Sequence, residues 1–346
     1  MNGIFKARIF KSYIAVACVV GMAAMVGMGA RESSNDAAPS DKKIKICLLP
    51  KKKGVPYFTT CAKGAEEAAK ELGNVELIYD GPTDGSPEKA ASMIDRWALQ
   101  GVDVIAVSPN DPEVLGQAMK KARAKGVKVI TWDADAGTEA REFLVNQATA
   151  KDIGFALVDA MAKDIGGDEP EGEVAIVTAS LTAANQNEWI KYMKERLAKY
   201  PKLTLVATNP SNEDQRLAFS VSQDLMKAHP NLKGIFGISS VAFPGAAEAV
   251  KQAGKTGKVL VTGLATPNDM KAYVKEGVVK SVVLWNTIDL GYLTVHAAEA
   301  MANGKLKAGD KTIKAGRLGE KVIEGDQILL GKILIFTKDN IDQFDF

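Results

Sequence analysis

Short apolar runs alternate with longer amphipathic segments from Ile44 to the end of the chain. The runs lack the strict apolar–polar alternation of a half-exposed strand, so each is predicted to be a strand buried on both faces. The segments between them repeat apolar residues at helical spacing. This order of strands and helices predicts parallel sheets covered by helices, the doubly wound α/β class.

The predicted strands are 44–49, 75–79, 104–107, 127–131, 174–178, 203–208, 234–238, 259–262 and 281–284. The predicted helices include 61–72, 88–100, 112–125, 189–199 and 217–228.

A weak internal repeat divides the chain. Residues 101–135 and 231–266 each run from a strand through a loop and a proline-opened helix to a glycine turn and a second strand. The repeated order predicts two similar lobes rather than one large sheet. Ligands of open α/β sheets bind outside the carboxyl ends of the strands. We therefore expect a cleft between the lobes, lined by residues that directly follow strands.

The first thirty residues have the pattern of an export signal. Three basic residues precede an apolar stretch that is short for a membrane span, and small residues follow it. We predict a signal peptide over 1–30, a polar tether over 31–42 and a periplasmic location. A lipid anchor at Cys18 is the weaker alternative, because this cysteine lies inside the apolar stretch rather than at its end.

Charge and composition exclude several classes of function. Lys+Arg (44) and Asp+Glu (42) nearly balance without a basic cluster, which argues against nucleic acid as a partner. Two histidines and three cysteines are too few for a His/Cys metal cluster, and no cofactor loop is present. We expect no cofactor, no metal and no enzymatic activity. Asp133 and Asp135 are the one acid–base pair worth testing.

Two cysteines, Cys47 and Cys61, remain after the predicted signal. They lie in a predicted strand and in the helix that follows it. In an oxidising compartment they can form a disulfide or stay as two buried thiols, and we slightly favour the thiols.

The first predicted strand is followed by Lys51 and by the aromatic pair Tyr57 and Phe58. At least one aromatic ring is expected to face the cleft, since two adjacent rings rarely both point into the core. Asp133 ends another strand, after Trp132, and its carboxylate can accept hydrogen bonds from two neighbouring hydroxyls. The alternative for Asp133 is the N-cap of a short helix.

Three amides, Asn185, Gln186 and Asn187, open a predicted helix that carries Trp189 one turn later. As for Asp133, the alternative role of Asn185 is to cap the helix. Trp189 is equally compatible with a position in the core and one in the cleft. Trp285 and Asn286 follow the last predicted strand. Amides and one carboxylate can read hydroxyl groups, while aromatic rings cover the apolar face of a sugar. This set of side chains predicts a small, neutral, hydroxyl-rich ligand.

Motifs along the whole mature chain resemble the periplasmic sugar-binding proteins of ABC transporters, of the ribose-binding type. The motifs are Pro50-Lys51, Tyr57-Phe58, Asp111-Pro112, Thr131-Trp132-Asp133, Asn185-Gln186-Asn187, Pro244 with Ala246, and Leu284-Trp285-Asn286. The resemblance implies the type 1 periplasmic binding protein fold, in which a three-crossing hinge joins the two lobes. It also implies a monomer that delivers its ligand to a membrane permease.

Within that family the chain looks most similar to the rhamnose-binding and autoinducer-2-binding subgroup. Autoinducer-2-binding members imply contacts from Lys51, Asp133, Gln186, Pro244 and Ala246, but carry Asp at the position of Asn185. We therefore predict rhamnose or a similar monosaccharide, with autoinducer-2 as the alternative and a sensor domain for a kinase or chemoreceptor as a third.

The resemblance also places the three crossings near Asn146, Asn286 and Gly325. These positions assign 43–146 and 287–324 to the first lobe, and 147–286 and 325–346 to the second. The full set of predicted ligand contacts is Lys51, Tyr57, Phe58, Trp132, Asp133, Asn185, Gln186, Asn187, Trp189, Pro244, Ala246, Trp285 and Asn286.

Overall fold

The computed structural model describes residues 43–167 and 169–346. The predicted signal peptide, the tether and Cys18 lie outside these residues. In the described part of the chain, no helix is both apolar enough and long enough to cross a membrane.

One sheet has the strand order β11-β12-β13-β5-β4-β3-β1-β2. Its strands are β1 (Ile44–Leu49), β2 (Val75–Tyr79), β3 (Val104–Val107), β4 (Lys128–Trp132), β5 (Phe143–Asn146), β11 (Thr312–Lys314), β12 (Glu320–Glu324) and β13 (Gln327–Leu329). The strands from β13 to β2 run parallel, and β11 and β12 form an antiparallel margin. We call this sheet and its helices the first lobe.

A second sheet has the order β7-β6-β8-β9, and a two-stranded antiparallel unit, β10-β14, lies beside β9 through the isolated bridge between Leu264 and Val283. Its strands are β6 (Gly172–Thr178), β7 (Leu203–Pro210), β8 (Leu232–Gly237), β9 (Leu260–Gly263), β10 (Val282–Leu284) and β14 (Leu334–Phe336). With its helices it forms the second lobe. Parallel sheets are thus the core of both lobes, as the α/β pattern predicted.

The helices cover the faces of these sheets. They are α1 (Pro56–Leu72), α2 (Pro87–Leu99), α3 (Pro112–Ala124), α4 (Ala150–Ile165), α5 (Ala184–Leu197), α6 (Gln215–Ala228), α7 (Ala242–Gln252), α8 (Pro267–Lys275) and α9 (Thr287–Ala302). Several begin at a polar cap followed by proline: Asp111 accepts hydrogen bonds from the amides of Glu113 and Val114, both at 3.0 Å. Such caps fix each helix start beside the carboxyl end of the preceding strand.

The chain passes three times between the lobes. The first passage follows Asn146, the last residue of β5, and the second lies between β10 and α9, where Asn286 caps the helix. The third was predicted near Gly325, and this position is wrong. Gly325 (φ 66°) lies in the turn of the β12–β13 hairpin, and β13 still pairs with β5 of the first sheet. The third passage therefore lies between Leu329 and Leu334.

The two predicted mature cysteines are free and buried, in β1 and α1 respectively. Burial is the main cause that raises the pKa of the Cys47 thiol to about 12. The alternative of two buried thiols is therefore the correct one.

Helices α1 and α9 cross at two glycines, which brings the segment after the second passage back onto the first lobe. A Cβ at Gly64 would lie 1.8 Å from the carbonyl oxygen of Ile288, and one at Gly291 would lie 1.8 Å from that of Cys61. Only glycine allows this close backbone approach.

We predict that Gly64→Ala destabilises the protein by about 3 kcal/mol or more, because an added methyl group at a backbone contact forces the helices apart. Chemical denaturation of the purified protein measures the change. Gly116→Ala is the matched control: it is also a helical glycine, but its added Cβ would meet nothing closer than 3.5 Å. Helix propensity makes that control neutral or stabilising by up to about 1 kcal/mol. Equal stability of the two variants would contradict the prediction.

Candidate functional site

A cavity of about 300 Å³ lies between the carboxyl ends of the two sheets. Its first-lobe lining comes from the segments that follow β1, β2, β3 and β4, and its second-lobe lining from those that follow β6, β7, β8, β9 and β10. This volume is at the lower end of the range for small-molecule sites. The cavity therefore lies where strand topology predicted the cleft.

Asp133 is the central polar group of the cavity, with 6% of its surface exposed. Tyr57 donates its hydroxyl to Oδ1 at 2.7 Å, and Ser108 donates to Oδ2 at 2.8 Å. The Lys51 ammonium lies 3.3 Å from Oδ2. A carboxylate has about four acceptor positions, so these three neighbours leave capacity for ligand hydroxyls.

The backbone of Asp133 is left-handed, with φ 65°, and no helix begins there. The capping alternative for this residue is therefore wrong. Aspartate adopts this region more readily than most residues, because its short side chain bonds locally. The turn directs the carboxylate toward Tyr57 and Ser108 rather than along the sheet.

Aromatic rings form the apolar part of the cavity wall, namely Phe58, Trp189 and Trp285. Trp285 packs edge-on against Tyr57 at 6.1 Å between centroids and lies 6.2 Å from Trp189. Its Nε1 donates to the Tyr57 hydroxyl at 3.0 Å. A hydrogen-bond chain thus runs from Trp285 through Tyr57 to Asp133. Burial, with the charge of Asp133 next in size, raises the pKa of the Tyr57 phenol well above its usual value.

The amides at the start of α5 face this group from the second lobe. Asn185 accepts from the Lys51 ammonium at 3.4 Å and donates to the carbonyl oxygen of Asp133 at 3.4 Å. Gln186 accepts from the Thr178 hydroxyl at 2.5 Å and from the Ala179 amide at 2.8 Å. Ala183 occupies the N-cap of α5, so capping is not the role of Asn185. The Asn185 bonds cross the cleft and show that the lobes are closed.

Two predicted contacts do not line the cavity because their side chains turn away from it. Trp132 is fully buried beneath the wall, where it packs on Phe58 at 5.8 Å and donates to the Ala106 carbonyl at 3.3 Å. Asn187 is exposed and donates to the Leu181 carbonyl at 2.9 Å.

Three further predicted contacts, Pro244, Ala246 and Asn286, are also absent from the lining. Pro244 and Ala246 are buried within α7, which begins at Ala242, two residues before the proline rather than after it. The Asn286 side chain caps α9 by accepting from the Asp289 amide at 3.2 Å.

Some lining residues were not singled out from the sequence. Ser239 lies two residues past the end of β8, so the expectation that residues after strands line the cleft would have found it. Asn110 contributes a buried Oδ1 atom that has no hydrogen-bond partner in the protein. Glu213 lies in the turn between β7 and α6, next to Asp214, and the sequence does not tell which of these two acidic residues faces the cleft.

The carboxylate pair considered for acid–base chemistry does not share the cavity. Arg141 binds Asp135 through two hydrogen bonds of 2.9 and 2.7 Å, and the Thr131 hydroxyl donates to it at 2.9 Å. The side-chain hydrogen bonds to Arg141 lower the pKa of Asp135 although burial, the largest single influence, opposes them. Asp135 therefore has a structural role beside Asp133.

Residues 46–306 match the family model described as periplasmic binding protein domain. The ribose import binding protein RbsB of Bacillus subtilis is 28% identical over 277 residues, which cover 79% of this chain and 86% of that protein.

Two solved structures are similar to this protein over most of its chain. LsrB from Clostridium saccharobutylicum in complex with AI-2 has a TM-score of 0.83 at 29% identity and covers 88% of this chain and 100% of its own. A solute-binding protein from Clostridium phytofermentas with bound L-rhamnose has a TM-score of 0.82 at 29% identity. The match covers 87% of this chain and 98% of that protein's chain. The match to the family model spans most of the chain, and the chain therefore belongs to the periplasmic binding protein family.

Proposed function

We propose that this protein is the extracytoplasmic binding protein of an ABC importer and captures a monosaccharide in the cavity between its lobes. The observation that carries the proposal is the Asp133 carboxylate, buried with Lys51 at one side of a small cavity whose other side is aromatic. A carboxylate and an ammonium group can together accept from and donate to sugar hydroxyls. Rings of Trp189 and Trp285 suit the apolar C–H face of the same sugar.

Capture proceeds by closure of the two lobes. Besides the bond from Trp285 to Tyr57, three hydrogen bonds among the described residues cross the closed cleft: Lys51 to Asn185, Asn185 to the Asp133 carbonyl, and Lys52 to the Glu213 carbonyl at 3.2 Å. All three are long, so they stabilise closure weakly by themselves. A ligand that contacts both walls adds interactions only in the closed state and shifts the population toward it. The hinge segments are the three passages between lobes.

Rhamnose or a similar monosaccharide is the proposed ligand. Support comes from Asn185, which faces Lys51 where autoinducer-2-binding members carry an aspartate. Autoinducer-2 is the second candidate, supported by the similarity to the AI-2-bound structure. The resemblance to its binding proteins implied contacts from Pro244 and Ala246, which do not line this cavity. Delivery to a permease follows capture in this proposal.

We predict that the mature protein binds at least one of L-rhamnose, D-ribose, D-xylose and autoinducer-2 with micromolar affinity, about 8 kcal/mol. A ligand that binds the folded state raises the melting temperature, so a thermal-shift screen identifies it and calorimetry measures it. Failure of all four compounds to bind at millimolar concentration would contradict the proposed function.

We predict that Asp133→Asn weakens binding of the compound identified in that screen by about ten- to a hundredfold, since hydrogen bonds to a charged acceptor contribute about 1.5–3 kcal/mol. Asparagine tolerates the left-handed backbone and keeps the shape of the side chain, so the change isolates the charge. Asp224→Asn is the control, because Asp224 is 76% exposed in a surface ion pair. Unchanged affinity in Asp133→Asn would remove this carboxylate from the site.

A further inference from the structure

Non-glycine residues with a left-handed backbone line the cavity in both lobes. Among the described residues, the non-glycine positions with positive φ are Asp133, Asn212 (φ 50°) and Glu213 (φ 52°), and all three line the cavity. Such conformations cost free energy and persist where the surrounding structure enforces them, which is most common at binding sites. The turn Asn212–Glu213 is therefore the counterpart, on the second lobe, of the turn at Asp133.

This turn is fixed on both sides. The Ser211 amide donates to the Thr178 carbonyl at 2.7 Å, and Asp214 caps α6 by accepting from the amides of Arg216 and Leu217 at 2.7 and 3.0 Å. The two left-handed residues between these anchors have little freedom to turn away. A carboxylate in this position is held toward the cleft rather than toward solvent.

The surroundings of Glu213 are charged but leave its carboxylate without an ion pair within 4 Å among the described residues. Lys51 and Lys52 approach from the first lobe, although Lys52 donates to the backbone carbonyl of Glu213. Asp133 faces it from the end of β4, and the Ser239 hydroxyl from the end of β8. Burial dominates these influences and raises the pKa of Glu213. The protein thus keeps a partly buried carboxylate at the cavity, at a cost in free energy.

We propose, on the basis of the proposed function, that Glu213 is a specificity-determining residue that accepts hydrogen bonds from hydroxyls on the side of a neutral sugar away from Asp133. Two carboxylates on opposite lobes then require a ligand with hydroxyl donors on two sides and an apolar face between them. Because Glu213 and Asp133 belong to different lobes, one ligand that satisfies both also links the lobes in the closed state.

The test uses Glu213→Gln, which keeps the size and backbone of the residue and removes its charge. Calorimetry with L-rhamnose, D-ribose, D-xylose and autoinducer-2 is run at pH 7.5 and pH 5 on the full mature chain. We expect about tenfold or greater loss of affinity at pH 7.5 in the variant, because a charge-assisted acceptor is lost. Affinity of the unmodified protein should fall toward pH 5, as Glu213 becomes protonated, and that of the variant should change less.

Glu188→Gln is the matched control, since Glu188 is an exposed residue of α5 that does not line the cavity. It should match the unmodified protein at both pH values. If one of the four compounds binds and Glu213→Gln binds it with equal affinity at both pH values, this inference is wrong and the proposed function stands.

A measurement without ligand separates the two proposals further. Folding raises the pKa of Glu213. The stability that this carboxyl group contributes is therefore present below its pKa in the unfolded chain, and it is lost as the pH rises through its pKa in the folded protein. Glu213→Gln should therefore melt at a higher temperature than the unmodified protein at pH 7.5, with the difference shrinking toward pH 4. If none of the four compounds binds, the proposed function fails. Equal melting temperatures at pH 7.5 would then overturn this inference as well.

Discussion

Burial of the Asp133 carboxylate is the constraint on which the arrangement of the cleft depends. An ionised group removed from water requires paired donors, or its desolvation destabilises the folded state. Its donors come from Tyr57 at the start of α1, Ser108 at the end of β3 and Lys51 at the end of β1. Satisfying one carboxylate thus sets the relative positions of three segments at the carboxyl edge of the first sheet.

The same constraint reaches the second lobe. Tyr57 can donate to Asp133 and accept from Trp285 at once, and Trp285 lies directly after β10 at the second passage between lobes. Lys51 is shared between Asp133 and Asn185. The groups that would contact a ligand therefore also join the lobes, which explains how binding and closure can be one event in this molecule. Left-handed turns at Asp133 and at 212–213 supply the polar groups on either side.

One rule located residues of the candidate cavity from the sequence. Polar residues that follow parallel strands meet at the carboxyl edge of the sheet. Lys51, Asp133 and Trp285 follow strands whose bounds were predicted to within one residue. The contacts that the resemblance implied for Pro244 and Ala246 are absent from the cavity lining, because α7 begins at Ala242 and buries both residues within the helix. The rule failed for Trp132 because side chains of a strand alternate between faces, so its neighbour Asp133 enters the cavity while Trp132 packs below.

The sequence by itself determined the α/β class and two lobes, since apolar runs at strand length and amphipathic segments between them allow few other arrangements. Only the tertiary structure decided the third passage, because a short hairpin at Gly325 pairs with whichever sheet offers a free edge. It also decided the position of Glu213 at the cavity. Strand and helix periodicity carry no information about a turn, and a carboxylate in a turn becomes a candidate contact only when long-range packing brings it to the cavity.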